Sequence, residues 1–301
     1  MQKTFVQKYG YLKYMFYVLP GLIGLYVFAV YPNLQVFPLS FYKWNGVSKT
    51  KTFVGWQNVS TMLNDPYFKQ GLLNTISYVL FLFVVQSIVA LLLALILKKN
   101  TVHNKFFRTL FFFPLVLSTV MVGLTWGYMY DPNIGLINQI LTKIGFLNFS
   151  SFAWVTDAHP IRAIFFIVVI HIWHNIGYPI TLLTAGLLTI PNDLYEAADI
   201  EGATARQVFT SVTMPLLLPT FSRITLLTVA TGAMAFDYVF LMGSSALVAA
   251  KYDTLAVGIY KDLAGVNLGM SASKGVMLGV ILFVVFMVQY VVTKKIENSI
   301  S

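Results

Sequence analysis

The chain has 301 residues, of which 57% are hydrophobic, 16% aromatic and only 10% charged, where a soluble domain carries about 25% charged residues. So little charge excludes a dissolved monomer and points to an exterior that faces lipid. Cysteine is absent, which excludes disulfides and thiolate metal sites. The net charge of +9 comes from Lys and Arg spread between apolar blocks, a pattern that suits charges flanking membrane spans and not a nucleic-acid surface.

A hydrocarbon core about 30 Å thick takes about 20 helical residues to cross. The first charge-free run, read as a span over 14–41, lies between Lys13 and Lys43. It is too long for a signal-peptide core and no small-residue cleavage site follows, so it reads as a retained helix. A second span is expected over 71–97, between Lys69 and Lys98, and a third over 109–130, between Arg108 and Asp131. The fourth, 163–190, lies between Arg162 and Asp193 and carries His171 and His174. The fifth, 215–241, has Arg223 near one end and Asp237 near the other, and the sixth, 275–293, is closed by Lys294 and Lys295. The expectation is an all-α integral membrane protein, a single domain of six transmembrane helices with both termini on one side. Eleven Lys and Arg fall on the terminal side and nine on the other, those on the terminal side being packed into shorter segments such as Lys98, Lys99, Lys105 and Arg108. That bias puts the termini in the cytoplasm. Pro20, Pro32, Pro114 and Pro179 fall inside spans and should bend them.

The most polar stretch lies between the fourth and fifth spans, over 192–214. Asp193 with Glu196 three residues on reads as a capping box, after Pro191 has stopped any helix arriving from the membrane. Gly202 offers a left-handed stop. Thr204 with Gln207 opens a second capped helix, with Val208, Phe209 and Val212 on its apolar face, and Pro215 is expected to end it. The first helix offers Glu196, Asp199 and Glu201 beside the small Ala197 and Ala198. Acidic residues at a helix start also suit the dipole of an ordinary solvated loop.

The string Glu196-Ala197-Ala198-Asp199-Ile200-Glu201-Gly202-Ala203 resembles the EAA loop of ABC-importer permeases, with Glu201 where that family usually has aspartate. Pro215 completes the match. Ser40 to Asn45, Phe53 to Asn58, Asp65-Pro66-Tyr67-Phe68 with Asn74-Thr75, Arg108 to Pro114, Trp126, Asp131-Pro132, Gly135-Leu136-Ile137-Asn138 and Phe236-Asp237 extend the resemblance over nearly the whole chain. It looks like the first of two unlike permeases of the maltose and multiple-sugar type. One departure stands at Leu241 to Ser245, where the family often has a threonine-x-glycine-glycine-proline turn. The resemblance implies a multi-pass protein of the bacterial cytoplasmic membrane with the EAA coupling helix inside the cell. It implies a second permease, two ATPase subunits and an extracytoplasmic solute-binding protein as partners. No Gly-x-x-x-x-Gly-Lys-Ser/Thr loop is present, so ATP and Mg belong to the partner ATPase. No cofactor, metal or nucleic acid is expected on this chain.

Asp237 is an acidic residue near membrane depth, which suggests a pathway or a pairing; sugar hydroxyls would donate to it, while Phe236 and Tyr238 offer rings to stack on. Trp173 and His174 are further candidates, although packing or inter-helix hydrogen bonding suits the cluster of His171, Trp173, His174 and Asn175 better than ligand binding does. The expected activity is import of a sugar or oligosaccharide, with no covalent chemistry. A glycerol-phosphate cargo would call for cationic pore residues, and only Arg223 and His174 qualify. A secondary transporter or a membrane-embedded enzyme would need carboxylate or histidine clusters that the sequence lacks.

Overall fold

The computed structural model describes residues 2–145, 149, 151–155, 159–243 and 251–300. The chain opens with α1 (Gln2–Leu25), which passes through a π turn at Tyr26–Val30 into α2 (Tyr31–Leu39). A two-stranded antiparallel hairpin follows, β1 (Tyr42–Lys43) with β2 (Thr52–Phe53), Tyr42 facing Phe53. Next come α3 (Gln57–Asn64), α4 (Pro66–Leu97), α5 (Val102–Phe112) with a 3₁₀ turn at Phe113–Val116, α6 (Thr119–Met129) and α7 (Leu136–Lys143). The second half holds α8 (Pro160–Asn175), α9 (Gly177–Leu188), α10 (Asn192–Ile200) and α11 (Ala205–Val208), then a π turn at Phe209–Thr213 leading into α12 (Met214–Ala233). α13 (Asp237–Met242), α14 (Leu255–Ala264) and α15 (Leu268–Ile300) complete it.

Among the described residues, four helical stretches are long and apolar enough to cross a bilayer: Tyr14–Leu39, Pro66–Leu97, Ala205–Met242 and Leu268–Lys295. Two more candidates are bent pairs. Val102–Val116 meets Thr119–Met129 at 94°, and Pro160–Asn175 meets Gly177–Leu188 at 56°. The third and fourth sequence-read spans are therefore broken helices, and prolines stand at both breaks. Pro114, which has no N–H to donate, sits in the 3₁₀ turn just before Leu117 and Ser118 turn extended. Pro179 lies in the first turn of α9. Pro20 lies inside α1, which runs on unbroken past it.

The two π turns share a cause. Each is followed by an X-Pro pair, Tyr31-Pro32 and Met214-Pro215. In each, the N–H of X reaches back five residues, from Tyr31 to Tyr26 and from Met214 to Phe209. Widening the turn gives the proline ring room and shifts the hydrogen-bond register by one residue. This overturns the expectation that Pro215 ends the second loop helix: α11 runs through the π turn into α12, within a helical stretch that reaches from Ala205 to Met242.

α4 is the spine. Tyr78, Leu82, Ala90 and Ala94 form a fully buried row along it, and α8, α9, α12 and α14 pack around it. The two alanines let neighbouring backbones come close, which suits apolar helices in lipid. α2 meets α15, whereas Tyr14–Leu39 buries none of its residues. The hairpin after α2 is tied down from two sides. Asn58 Nδ2 donates to the Ser40 and Tyr42 carbonyls at 2.8 and 3.0 Å, and Ser273 Oγ donates to Ser40 O at 3.0 Å. Of the sequence departure at Leu241 to Ser245, Ser244 and Ser245 lie outside the described residues.

Candidate functional site

Two places in the chain bear on function, one a projecting loop and the other an internal junction. In the loop, α10 begins at Asn192 with Pro191 in the capping position and no side-chain cap. The expected Asp193–Glu196 capping box does not form. Pro191, at φ −59° and ψ 135°, starts the helix two residues early, and Asp193 falls inside the first turn, where its charge still favours the dipole. The helix ends as a Schellman motif: Gly202 N donates to Asp199 O at 3.1 Å and Ala203 N to Ala198 O at 2.9 Å. Gly202 has φ +71°. The second box is present, Thr204 N to Gln207 Oε1 at 2.8 Å and Gln207 N to Thr204 Oγ1 at 3.4 Å.

What this local order achieves is projection. Glu196, Ala197, Asp199, Ile200, Glu201 and Gly202 are exposed, Ala198 and Ala203 half-buried. Ile200, an apolar residue, is 87% exposed. Tyr195 points the other way. Its hydroxyl lies 3.3 Å from Thr213 Oγ1, and the Lys98 ammonium sits 5.2 Å from its ring centroid. The acidic helix is thereby pinned to the end of α4 and to the π turn that opens α12.

At the junction three interrupted helices meet: α5 to α6 at Leu117–Ser118, α8 to α9 at Ile176, and α12 to α13 at Met234–Phe236. Non-helical backbone at membrane depth survives only where protein or water satisfies it, and here side chains do so. His174 Nε2–H donates to the Leu117 carbonyl at 3.1 Å. A carbonyl only accepts, so the ring is the Nε2–H tautomer and Nδ1 accepts from the Tyr238 hydroxyl. Tyr238 in turn accepts from Asn175 Nδ2 at 3.1 Å. Tyr78 Oη and His171 Nδ1 are 2.8 Å apart, which joins α4 to α8. The Ala235 carbonyl takes the Thr254 hydroxyl at 2.7 Å. The helices come close because Gly177 lacks a side chain: a Cβ there would lie 2.5 Å from Phe112 Cα and 2.6 Å from Phe111 O.

The sequence candidates divide at this junction. His174 and Tyr238 are buried and bonded to each other. Asp237 is exposed in the first turn of α13, and Trp173 is 41% exposed, its ring 5.5 Å from that of Trp126. Phe236 stacks on Phe240 at 5.0 Å and meets Tyr260 edge-on at 5.1 Å. A cavity of about 190 Å³ adjoins the network, lined by Gln86, His171, Asn175, Tyr178 and Thr228 among others. Among the described residues no three His, Asp or Glu side chains are grouped to hold a metal ion. Sequence reasoning did not find Tyr78, Gly177 or the Leu117 carbonyl. The local signal was there: Gly177 two residues before Pro179, directly after a polar cluster.

A family model described as "Binding-protein-dependent transport system inner membrane component" matches residues 86–298. The arabinooligosaccharides transport system permease protein AraP of Bacillus subtilis is 30% identical over 283 residues, 93% of this chain and 87% of that one. The trehalose/maltose transport system permease protein MalF of Thermococcus litoralis is 32% identical over 235 residues, 78% of this chain and 77% of that one. In fold, the chain is similar to a chain in the crystal structure of a bacterial ABC transporter involved in the import of the acidic polysaccharide alginate. The TM-score is 0.75 at 19% identity, covering 98% of both chains. The chain belongs to the family of binding-protein-dependent transport system inner membrane components, membrane-embedded translocation subunits of ABC transporters and not enzymes.

Proposed function

We propose that this chain is the first of two unlike permease subunits in a bacterial importer of sugars or oligosaccharides. The observation that carries the coupling part of this reading is α10: a helix closed at its end by Gly202, with exposed acidic and small residues, fixed at Tyr195 to the ends of two long helices. An ATPase that grips such a helix can move α4 and α12 as it closes. In this reading Glu196, Ala197, Ala198, Asp199, Glu201, Gly202 and Ala203 form the coupling surface, with Pro215 behind the π turn as its base. ATP and Mg are held by two ATPase subunits, and a solute-binding protein delivers cargo from outside. Both termini and α10 lie in the cytoplasm, and each bent pair crosses the membrane once, giving six crossings.

The cargo reading rests on the relatives, named for arabinooligosaccharides, for trehalose and maltose, and, in Streptococcus mutans, as a multiple sugar-binding transport system permease. The junction suits it, because its side chains are neutral hydrogen-bonding and aromatic groups with one carboxylate, Asp237. A phosphate cargo would need cations there. Affinity purification of this chain from membranes should recover a second, different permease and an ATPase. A transport-competent homodimer reconstituted from this chain alone would contradict the proposal.

A further inference from the structure

At the end of the molecule away from α10, the N-terminal turns of α4 and the segments around α14 and α15 line a cavity of about 530 Å³ with both apolar and charged walls, within the range of small-molecule sites. α4 separates the two ends. Its 32 residues span about 48 Å at 1.5 Å per residue, from Asp65 beside the cavity to Lys98 beside Tyr195. The walls are built and not loose. Asn74, 2% exposed, donates to the Lys251 and Asp253 carbonyls at 3.0 and 2.8 Å. Lys261 pairs with Asp253 at 2.6 Å, and Lys274, 7% exposed, pairs with Asp262 at 2.8 Å and stands 4.0 Å from Asp65. Tyr67, at the mouth, is 72% exposed.

We propose that this cavity binds a neutral polyhydroxylated ligand, one or two sugar units, before it reaches the junction of broken helices. Inside the wall Lys261 and Lys274 are each paired with a carboxylate, so the interior sets no bare charge against a ligand, and the remaining cation, Lys251, stands at the exposed rim. A hydroxyl group suits such pairs, since it donates to a carboxylate and accepts from the neighbouring ammonium at once. The pairs are already desolvated and held, so the wall does not have to order itself on binding. Tyr67 supplies an aromatic face at the rim, which suits the apolar side of a sugar ring. This assignment rests on the sugar-permease reading and on the termini being cytoplasmic, which turns the cavity outward.

This chain contains no cysteine, so labelling read on its own separated band reports on the one introduced thiol. Lys251→Cys, at the exposed rim, is placed in the complete transporter in proteoliposomes without the solute-binding protein. It is reacted with a membrane-impermeant maleimide in the presence of maltotriose, arabinotriose or chitotriose. The expected result is saturable, several-fold slower labelling with at least one of them, and loss of that protection in the additional variant Tyr67→Ala. Unchanged labelling with all three overturns the site, as does protection that appears only when the solute-binding protein is added without sugar. ATP-driven uptake measured in parallel with the solute-binding protein present separates the two readings. Uptake without protection overturns the cavity alone, and protection without uptake upholds the cavity while overturning the cargo reading.

Discussion

Gly177 and Tyr238 hold the junction in different ways, and each gives a distinct expectation. Gly177 is needed for space, with the Phe112 backbone where a side chain would start. Gly177→Ala therefore forces α5 and α9 apart and should destabilise by about 1–3 kcal/mol, the usual cost of overpacking. A thermal unfolding midpoint of the detergent-purified complex equal to wild type would contradict this. Tyr238 is needed for its hydroxyl. Tyr238→Phe leaves buried His174 Nδ1 without its donor, a cost of about 1–3 kcal/mol, while Asn175 Nδ2 keeps its bond to the His171 carbonyl and the ring packing is left alone. Asp237, exposed beside it, has no such structural duty. Asp237→Ala should slow uptake with assembly and basal ATP hydrolysis intact, and unchanged uptake kinetics would remove it from the pathway. Other residues of the family resemblance turn out to be structural. Asn138 donates to the Pro132 and Phe152 carbonyls and accepts from Trp154 Nε1. Asp131 Oδ1 accepts from the Asn133 and Ile134 amides, and these bonds lower its carboxyl pKa. A lowered folded pKa favours the turn above the ordinary carboxylate range, and that support is lost as pH falls through the folded value. Exchange of the Asn133 and Ile134 amides should therefore gain its extra acceleration only in acid; an opening of the turn near neutral pH would contradict this.

At the scale of elements, α10 and its corner carry the mechanical argument. Gly202 has open space around it, so a side chain there meets no clash. The cost lies in the backbone, about 1 kcal/mol for alanine and more for a β-branched residue at φ +71°. Gly202→Val should leave an inserted, assembled complex that hydrolyses ATP poorly or hydrolyses it without moving cargo. Wild-type coupling between hydrolysis and uptake in proteoliposomes would mean that α10 is not the lever. The Thr204–Gln207 box and the left-handed Gly202 were legible because capping is local chemistry. The Asp193 box failed because Pro191 is a stronger start signal two residues away. Pro215 was misread because the sequence shows a missing N–H but not the π turn that absorbs it. The breaks after Pro114 and before Pro179 were legible as bends, while the 94° and 56° angles follow from packing that no window of sequence contains.

For the whole molecule, the apolar blocks and their charged borders told of a membrane-embedded helical protein, because lipid leaves a chain few other options. The junction was not legible for an equally physical reason. Its bonds join Tyr78 to His171 across 93 positions and His174 to Leu117 across 57, and only the folded chain brings them together. The molecule that results has a cavity at one end of α4, an exposed acidic helix at the other, and three broken helices between them. In the proposed mechanism, hydrolysis by a partner at α10 drives cargo past the junction. The direct measurement is uptake of a labelled oligosaccharide into proteoliposomes holding this chain with its partner permease, its ATPase and a solute-binding protein, with ATP enclosed on the α10 side. The expected uptake requires ATP and vanishes when the ATPase is left out. Uptake that persists without ATP, or that follows an imposed proton or sodium gradient instead, would contradict this mechanism.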